Sequence, residues 1–259
     1  MSTWSCPVIR RLATLFMLFA VSCGGASGGH VDAGVAAPTN LTVFAAASLQ
    51  TAFDKVATQL NRQDNITTTF NYAGTQTLTA QLTQGAPADV FASADVAHMT
   101  TAQNAGLIAG TPTVFAHNKL EIAVERGNPK GIHTLADLGR SGLVVVLADP
   151  SVPAGKYAQQ VLTKAGVTVH PASLEPQVTG VLTKVAFGEA DAGIVYVSDI
   201  VSSGKVTGIA IPDAQNVIAE YPIATLKAGQ NKTGADTFIK YVLSSQGQAI
   251  LFGAGFEGA

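Results

Sequence analysis

Five short segments hold the residues best placed for chemistry: Ala45-Ala46-Ala47-Ser48-Leu49, Tyr72-Ala73-Gly74-Thr75, Val152-Pro153-Ala154-Gly155, Gln177-Val178-Thr179-Gly180 and Ile194-Val195-Tyr196-Val197-Ser198-Asp199. Each stands where a β-type run gives way to a helical pattern, and each brings small or hydroxyl residues to the helix start. The first amides of a helix have no partner within it, and the helix dipole adds positive potential there, so such junctions suit an anion. Taken singly, Ser48 and Thr75 read as ordinary N-caps. Five junctions, two from one half of the fold and three from the other, point to a shared anion site.

Other chemistries lack their residues. Gly253-Ala254-Gly255-Phe256-Glu257-Gly258 spells G-x-G-x-x-G, but it ends the chain with no helix to follow, which excludes a dinucleotide fold. There is no G-x-S-x-G elbow and no phosphate loop of the G-x-x-x-x-G-K-[ST] type. His30, His98, His117, His133 and His170 are scattered without metal-ligand spacing. Cys6 and Cys23 are the only cysteines, so a folded domain beyond them has no thiol for disulfide, metal or nucleophile. Glu189 and Asp191 flank a turn and read as solvated charges.

The elements that must position these junctions alternate strand and helix. Strands are expected at Leu41–Ala46, Ile66–Tyr72, Val90–Ala92, Leu120–Val124, Leu143–Leu147, Ala192–Val197 and Val217–Leu226. Helices are expected at Ser48–Gln63 with Ser48 as N-cap, from Thr75 to Gly85, and at Ala94–Asn104, Lys156–Ala165, Val178–Phe187 and Thr233–Leu251, the last as one helix or two. Such alternation argues for parallel sheets with crossover helices: an α/β protein of two Rossmann-like lobes joined by two crossover segments, near 116–119 and 213–222. Ligand is then expected in the cleft between the lobes. The division is 40–116 plus 222–259 for the first lobe and 117–221 for the second.

Composition agrees. In 259 residues, 47% are hydrophobic and 12% charged, and the mean hydropathy of +0.30 excludes a disordered chain. With 15 Lys+Arg against 17 Asp+Glu there is no basic excess for nucleic acid. The N-terminus reads as an address: Arg10 and Arg11, then the apolar run Leu12–Val21, make residues 1–22 a secretory signal. Ala20-Val21-Ser22-Cys23-Gly24 resembles a bacterial lipobox, with Cys23 as the lipidated first residue of the mature chain. Residues 23–39 are small and flexible, as a spacer from the membrane should be.

Four segments carry a family resemblance: LTVFAAASL (41–49), GAPADVFASAD (85–95), DPSVPAGKYA (149–158) and GIVYVSD (193–199). In that order they resemble the periplasmic molybdate-binding proteins of molybdate ABC transporters, over about residues 40–257. The resemblance implies the class II periplasmic-binding-protein fold, and it implies that molybdate or tungstate is the ligand, bound with no other cofactor and passed to an ABC permease with its ATPase. It implies five ligand contacts: the hydroxyls of Ser48, Thr75 and Tyr196, and the backbone N–H groups of Ala154 and Val178. The second segment departs from the family in reading AGTQT where many members have a serine run, and Val178 lies in a loosely matched segment. Molybdenum would be held as the oxyanion, with no side chain ligating the metal itself.

The chemistry of such a set is coherent. A fully deprotonated tetrahedral dianion offers only acceptors, so donors alone should surround it. About seven charge-assisted hydrogen bonds of roughly 1.5 kcal/mol each amount to on the order of 10 kcal/mol, the range of a sub-micromolar dissociation constant before association costs. The expectation is therefore a monomeric, lipid-anchored receptor outside the cytoplasmic membrane, with no nucleic-acid partner and no enzymatic activity. A receptor for another oxyanion such as sulfate is the rival within the class. An envelope-anchored enzyme on the same scaffold is the rival outside it, and no nucleophile–base pair supports it.

Overall fold

Strand β1 (Thr39–Ala46) alternates its side chains between two covered faces: Leu41, Val43 and Ala45 enter the main core, while Phe44 turns to a smaller cluster on the other side. This computed structural model describes residues 39–259. The expected signal at 1–22, Cys23 and the linker as far as residue 38 lie outside the described residues, whereas Thr39 already belongs to β1.

A 3-10 turn, Ala47–Leu49, follows β1, and then come α1 (Gln50–Asp64), β2 (Ile66–Ala73), α2 (Thr75–Thr83), β3 (Val90–Ala92), α3 (Val96–Asn104) and β4 (Ile108–Asn118). The second series holds β5 (Leu120–Glu125), β6 (Val145–Ala148), α4 (Pro153–Ala165), β7 (Ser173–Glu175), α5 (Val178–Ala186), β8 (Ala192–Tyr196), α6 (Val197–Ser203) and β9 (Val206–Ala210). The chain ends with β10 (Ala219–Leu226), α7 (Lys232–Leu243) and α8 (Ser245–Gly253).

The strands form two five-stranded sheets, β2-β1-β3-β10-β4 and β7-β6-β8-β5-β9. Both are mixed, which corrects the expectation of parallel sheets. In the first, β1 runs parallel to β2 and β3, but β10 runs antiparallel to β3 and β4. In the second, β6 is parallel to β7 and β8, while β5 is antiparallel to β8 and β9. The exceptions are strands next to a crossing. Strand β5 is entered straight from β4, and β10 comes back from the second lobe, so neither arrives by the crossover helix that makes neighbours parallel.

Helices cover both faces of the first sheet. On one side Phe53, Val56 and Leu60 of α1 meet Phe238 of α7, with Phe53 and Phe238 rings 5.2 Å apart edge to face. On the other, Leu78 and Leu82 of α2 and Met99 of α3 pack on Phe44 and Phe91. Sheet membership changes between Asn118 and Leu120, and again between Ala210 and Ala219. Buried Asn216 ties these two crossings together. Its Oδ1 accepts from the N–H groups of Leu120 (3.1 Å) and Val217 (2.8 Å), and its Nδ2 donates to the carbonyls of Leu120 (2.9 Å) and Ile211 (3.3 Å).

Candidate functional site

The five junctions meet at one cavity between the lobes. Ser48 and Thr75 line it from the first lobe, and Ala154, Val178 and Tyr196 line it from the second. All five are buried, with exposures of 7%, 1%, 1%, 4% and 1%. Small residues, among them Ala46, Ala47, Ala73 and Ala94, make up much of the remaining wall, and no charged side chain lines it. The interior is small, about 10 Å³ open to the centre of a water-sized atom. That suits a compact group and leaves no room for an organic side chain.

Three of the helix starts at this cavity carry no side-chain cap. At α2, α4 and α5 the N-caps are Gly74, Val152 and Gln177, and none makes a side-chain capping bond. By contrast Asp95, next to Ala94 of the wall, caps α3 by accepting from His98 N–H (2.9 Å), Asn231 caps α7 through Gly234 N–H (2.8 Å), and Ser244 caps α8 through Gly247 N–H (3.2 Å). The first-turn amides of the three cavity-facing helices, Ala154 and Val178 included, thus keep their donors for a ligand. Pro153 at the first position of α4 has no N–H of its own to satisfy.

The three hydroxyls differ in their partners. Thr75 Oγ1 accepts from Ala94 N–H at 3.2 Å, which leaves its own proton for the cavity. Ser48 does not cap α1 as expected: the 3-10 turn intervenes, Leu49 takes the cap position, and Ser48 Oγ lies 3.0 Å from Tyr221 Oη. Burial pushes the Tyr221 phenol well above its ordinary value, so it stays protonated. Either oxygen of this pair can donate; when Tyr221 does, the serine proton is left for a ligand. The Tyr196 hydroxyl is buried without any hydrogen-bond partner, and burial raises its titration far above the usual phenol range. It remains a neutral donor.

Tyr221 is a site-supporting residue that the sequence does not single out. It sits in VIAEYPIATL, which reads as an ordinary strand, and only the return of β10 beside the cavity gives it a role. Its ring meets Tyr196 edge to face at 5.8 Å and Phe256 at 5.3 Å. Asp199, at the third position of α6, is buried and accepts the Tyr196 N–H at 3.0 Å. Burial lifts its carboxyl to about 7, against the lowering effect of that hydrogen bond. Among the described residues no group of three His, Cys, Asp or Glu side chains could hold a metal ion, and no helix is long and apolar enough to cross a membrane.

Comparison with known proteins agrees with this geometry. The sequence pattern of the family described as bacterial extracellular solute-binding protein matches residues 41–257. The molybdate-binding protein ModA of Mycobacterium tuberculosis is 45% identical over 242 residues, covering 91% of this chain and 92% of that protein. Among solved structures, the periplasmic molybdate-binding protein of Azotobacter vinelandii superposes with a TM-score of 0.74 at 22% identity, over 83% of this chain and 98% of that one. The sulfate-binding protein SubI of M. tuberculosis superposes with a TM-score of 0.78 at 18% identity, over 85% of this chain and 87% of that one. These two likenesses show the shared two-lobed fold. Family pattern, identity and fold agree, and the chain belongs to the bacterial extracellular solute-binding proteins, a family of binding proteins and not of enzymes.

Proposed function

We propose that the protein captures molybdate, or tungstate, outside the cytoplasmic membrane and delivers it to an ABC importer. One observation carries the reading: a small cavity lined from both lobes by residues with neutral donors, among them uncapped helix starts and Tyr196, whose buried hydroxyl makes no hydrogen bond. Ser48, Thr75, Ala154, Val178 and Tyr196 are the proposed contacts. A deprotonated dianion meets such a wall without an unpaired proton, whereas protonated phosphate would bring a donor to a site without a carboxylate. The names of the relatives at high identity support molybdate as the ligand.

Neither lobe alone offers the full donor set, so the ligand favours the closed form, and that form is what a permease with its ATPase would read. The lipobox-like Ala20–Gly24 supports attachment to the membrane through Cys23, with a monomeric domain beyond the linker. Calorimetric titration of residues 39–259 with molybdate, tungstate, sulfate and phosphate tests the ligand. Binding of molybdate and tungstate, with none of phosphate, is the expected result. A sulfate receptor is the second reading, favoured by the likeness to SubI; sulfate bound in preference to molybdate would establish it.

A further inference from the structure

We propose that Gln76, lying across Gly74 and bonded to the Pro176 carbonyl, is a latch that holds the two lobes shut over the ligand and sets its rate of escape. The inference rests on the oxyanion-receptor reading above. Gln76 is in α2 of the first lobe, and Pro176 immediately precedes the N-cap of α5 in the second. Across that gap of 100 residues, Gln76 Nε2 donates to Pro176 O at 2.8 Å. The bond sits at the mouth of the cavity, because Gly74 on one side and Val178 on the other both line it.

Gly74 makes the approach possible. Its backbone, at φ −59° and ψ 138°, is open to any residue, so local conformation does not demand glycine. The space does. A Cβ at this position would stand 2.5 Å from Pro176 O and 2.5 and 2.6 Å from the two amide atoms of Gln76. The Gln76 side chain could swing aside, at the expense of its bond. Pro176 O is backbone of the opposite lobe and could move only if the lobes parted. Parting there draws the Val178 amide, two residues on, away from the anion.

The latch exists only in the closed form, so it acts on release and leaves capture alone. Neither Gln76 nor Gly74 supplies a side-chain donor to the ligand; of the clashes an added Cβ would make, those with the Gln76 side chain within the first lobe are relieved when that side chain swings aside, and the one with Pro176 O is relieved only when the lobes part. Stopped-flow binding of molybdate to the wild-type protein, Gln76→Leu and Gly74→Ala, with melting of each ligand-free protein, tests this. Loss of one hydrogen bond should raise the dissociation rate of Gln76→Leu about fivefold with the association rate unchanged. Gly74→Ala should raise it by about tenfold or more, since closure itself is opposed. The ligand-free Gln76→Leu protein should melt with the wild type.

Unchanged dissociation rates in both variants would overturn the latch while leaving the receptor reading intact. So would a loss of affinity that falls on the association rate, or that follows a loss of ligand-free stability in Gln76→Leu. A wild-type protein that binds no molybdate would overturn the receptor reading and the latch with it.

Discussion

Tyr196 separates binding from folding at the scale of one side chain. Its hydroxyl is buried and has no partner in the protein, so removing it takes no native hydrogen bond away. The Tyr196→Phe protein should melt, without ligand, at or above the wild-type temperature, yet lose on the order of tenfold to a hundredfold in molybdate affinity. Equal losses in both measurements would make Tyr196 a structural residue. Tyr221 acts differently, through Ser48 Oγ at 3.0 Å. Tyr221→Phe should weaken binding about tenfold in the wild-type background and hardly at all in Ser48→Ala, because contacting residues are not additive. Additive losses would show that Tyr221 has no action through Ser48. Asp199 gives a pH signature. Its folded value near 7 lies above the ordinary 3.8, so the folded protein holds that proton more tightly than the unfolded chain. Its contribution is fully present at low pH and is lost as pH rises from about 4 to 7. The melting temperature of Asp199→Asn should therefore gain on the wild type across that interval and keep a constant lead above it; a difference independent of pH would contradict the assignment.

Among the elements, helix starts divide into those closed by side chains and those left open, and the open ones face the cavity. Part of this is legible in the sequence. The five junctions are readable as helix starts with free amides, but α4 begins at Pro153, three residues before the Lys156 expected from the pattern, and the caps Asp95 and Ser244 are not singled out by the sequence. Ser48 misleads because its type fits a cap, while the 3-10 turn after β1 moves the helix start two residues on. Strand β4 is hidden for another reason. Thr111 and Pro112 have the residue types of a break, and no strand is expected there, but the chain absorbs them as an irregularity against β10, where Ala109 pairs with Thr225 and the next pair is Thr113 with Ile223. Helix α6, seven residues long, is too short for periodicity to reveal. Helix α4 makes a strict demand on sequence. A Cβ on Gly155 would run into the backbone carbonyls of Ala148 and Asp149. Gly155→Ala should push the α4 start outward, weaken anion binding through the Ala154 amide, and lower the melting temperature of the ligand-free protein. Wild-type behaviour in both measurements would show that the loop 149–152 yields freely.

For the whole molecule, the alternation of strand and helix predicts two α/β lobes, and local pattern goes no further. Strand direction at the crossings depends on partners far away in sequence, so β5 and β10 emerge antiparallel although their residues look like any buried strand. Asn216 is equally silent in sequence, since two of its four hydrogen bonds reach Leu120, nearly a hundred residues away. On the reading proposed above, donors from both lobes enclose one deprotonated oxyanion. A crystal structure of the protein grown with molybdate tests it most directly. The anion is expected in the interlobe cavity, with its oxygens within hydrogen-bond distance of Ser48 Oγ, Thr75 Oγ1, Ala154 N, Val178 N and Tyr196 Oη and with no lysine or arginine beside it. Molybdate bound elsewhere, or held there by a cationic side chain, would contradict it.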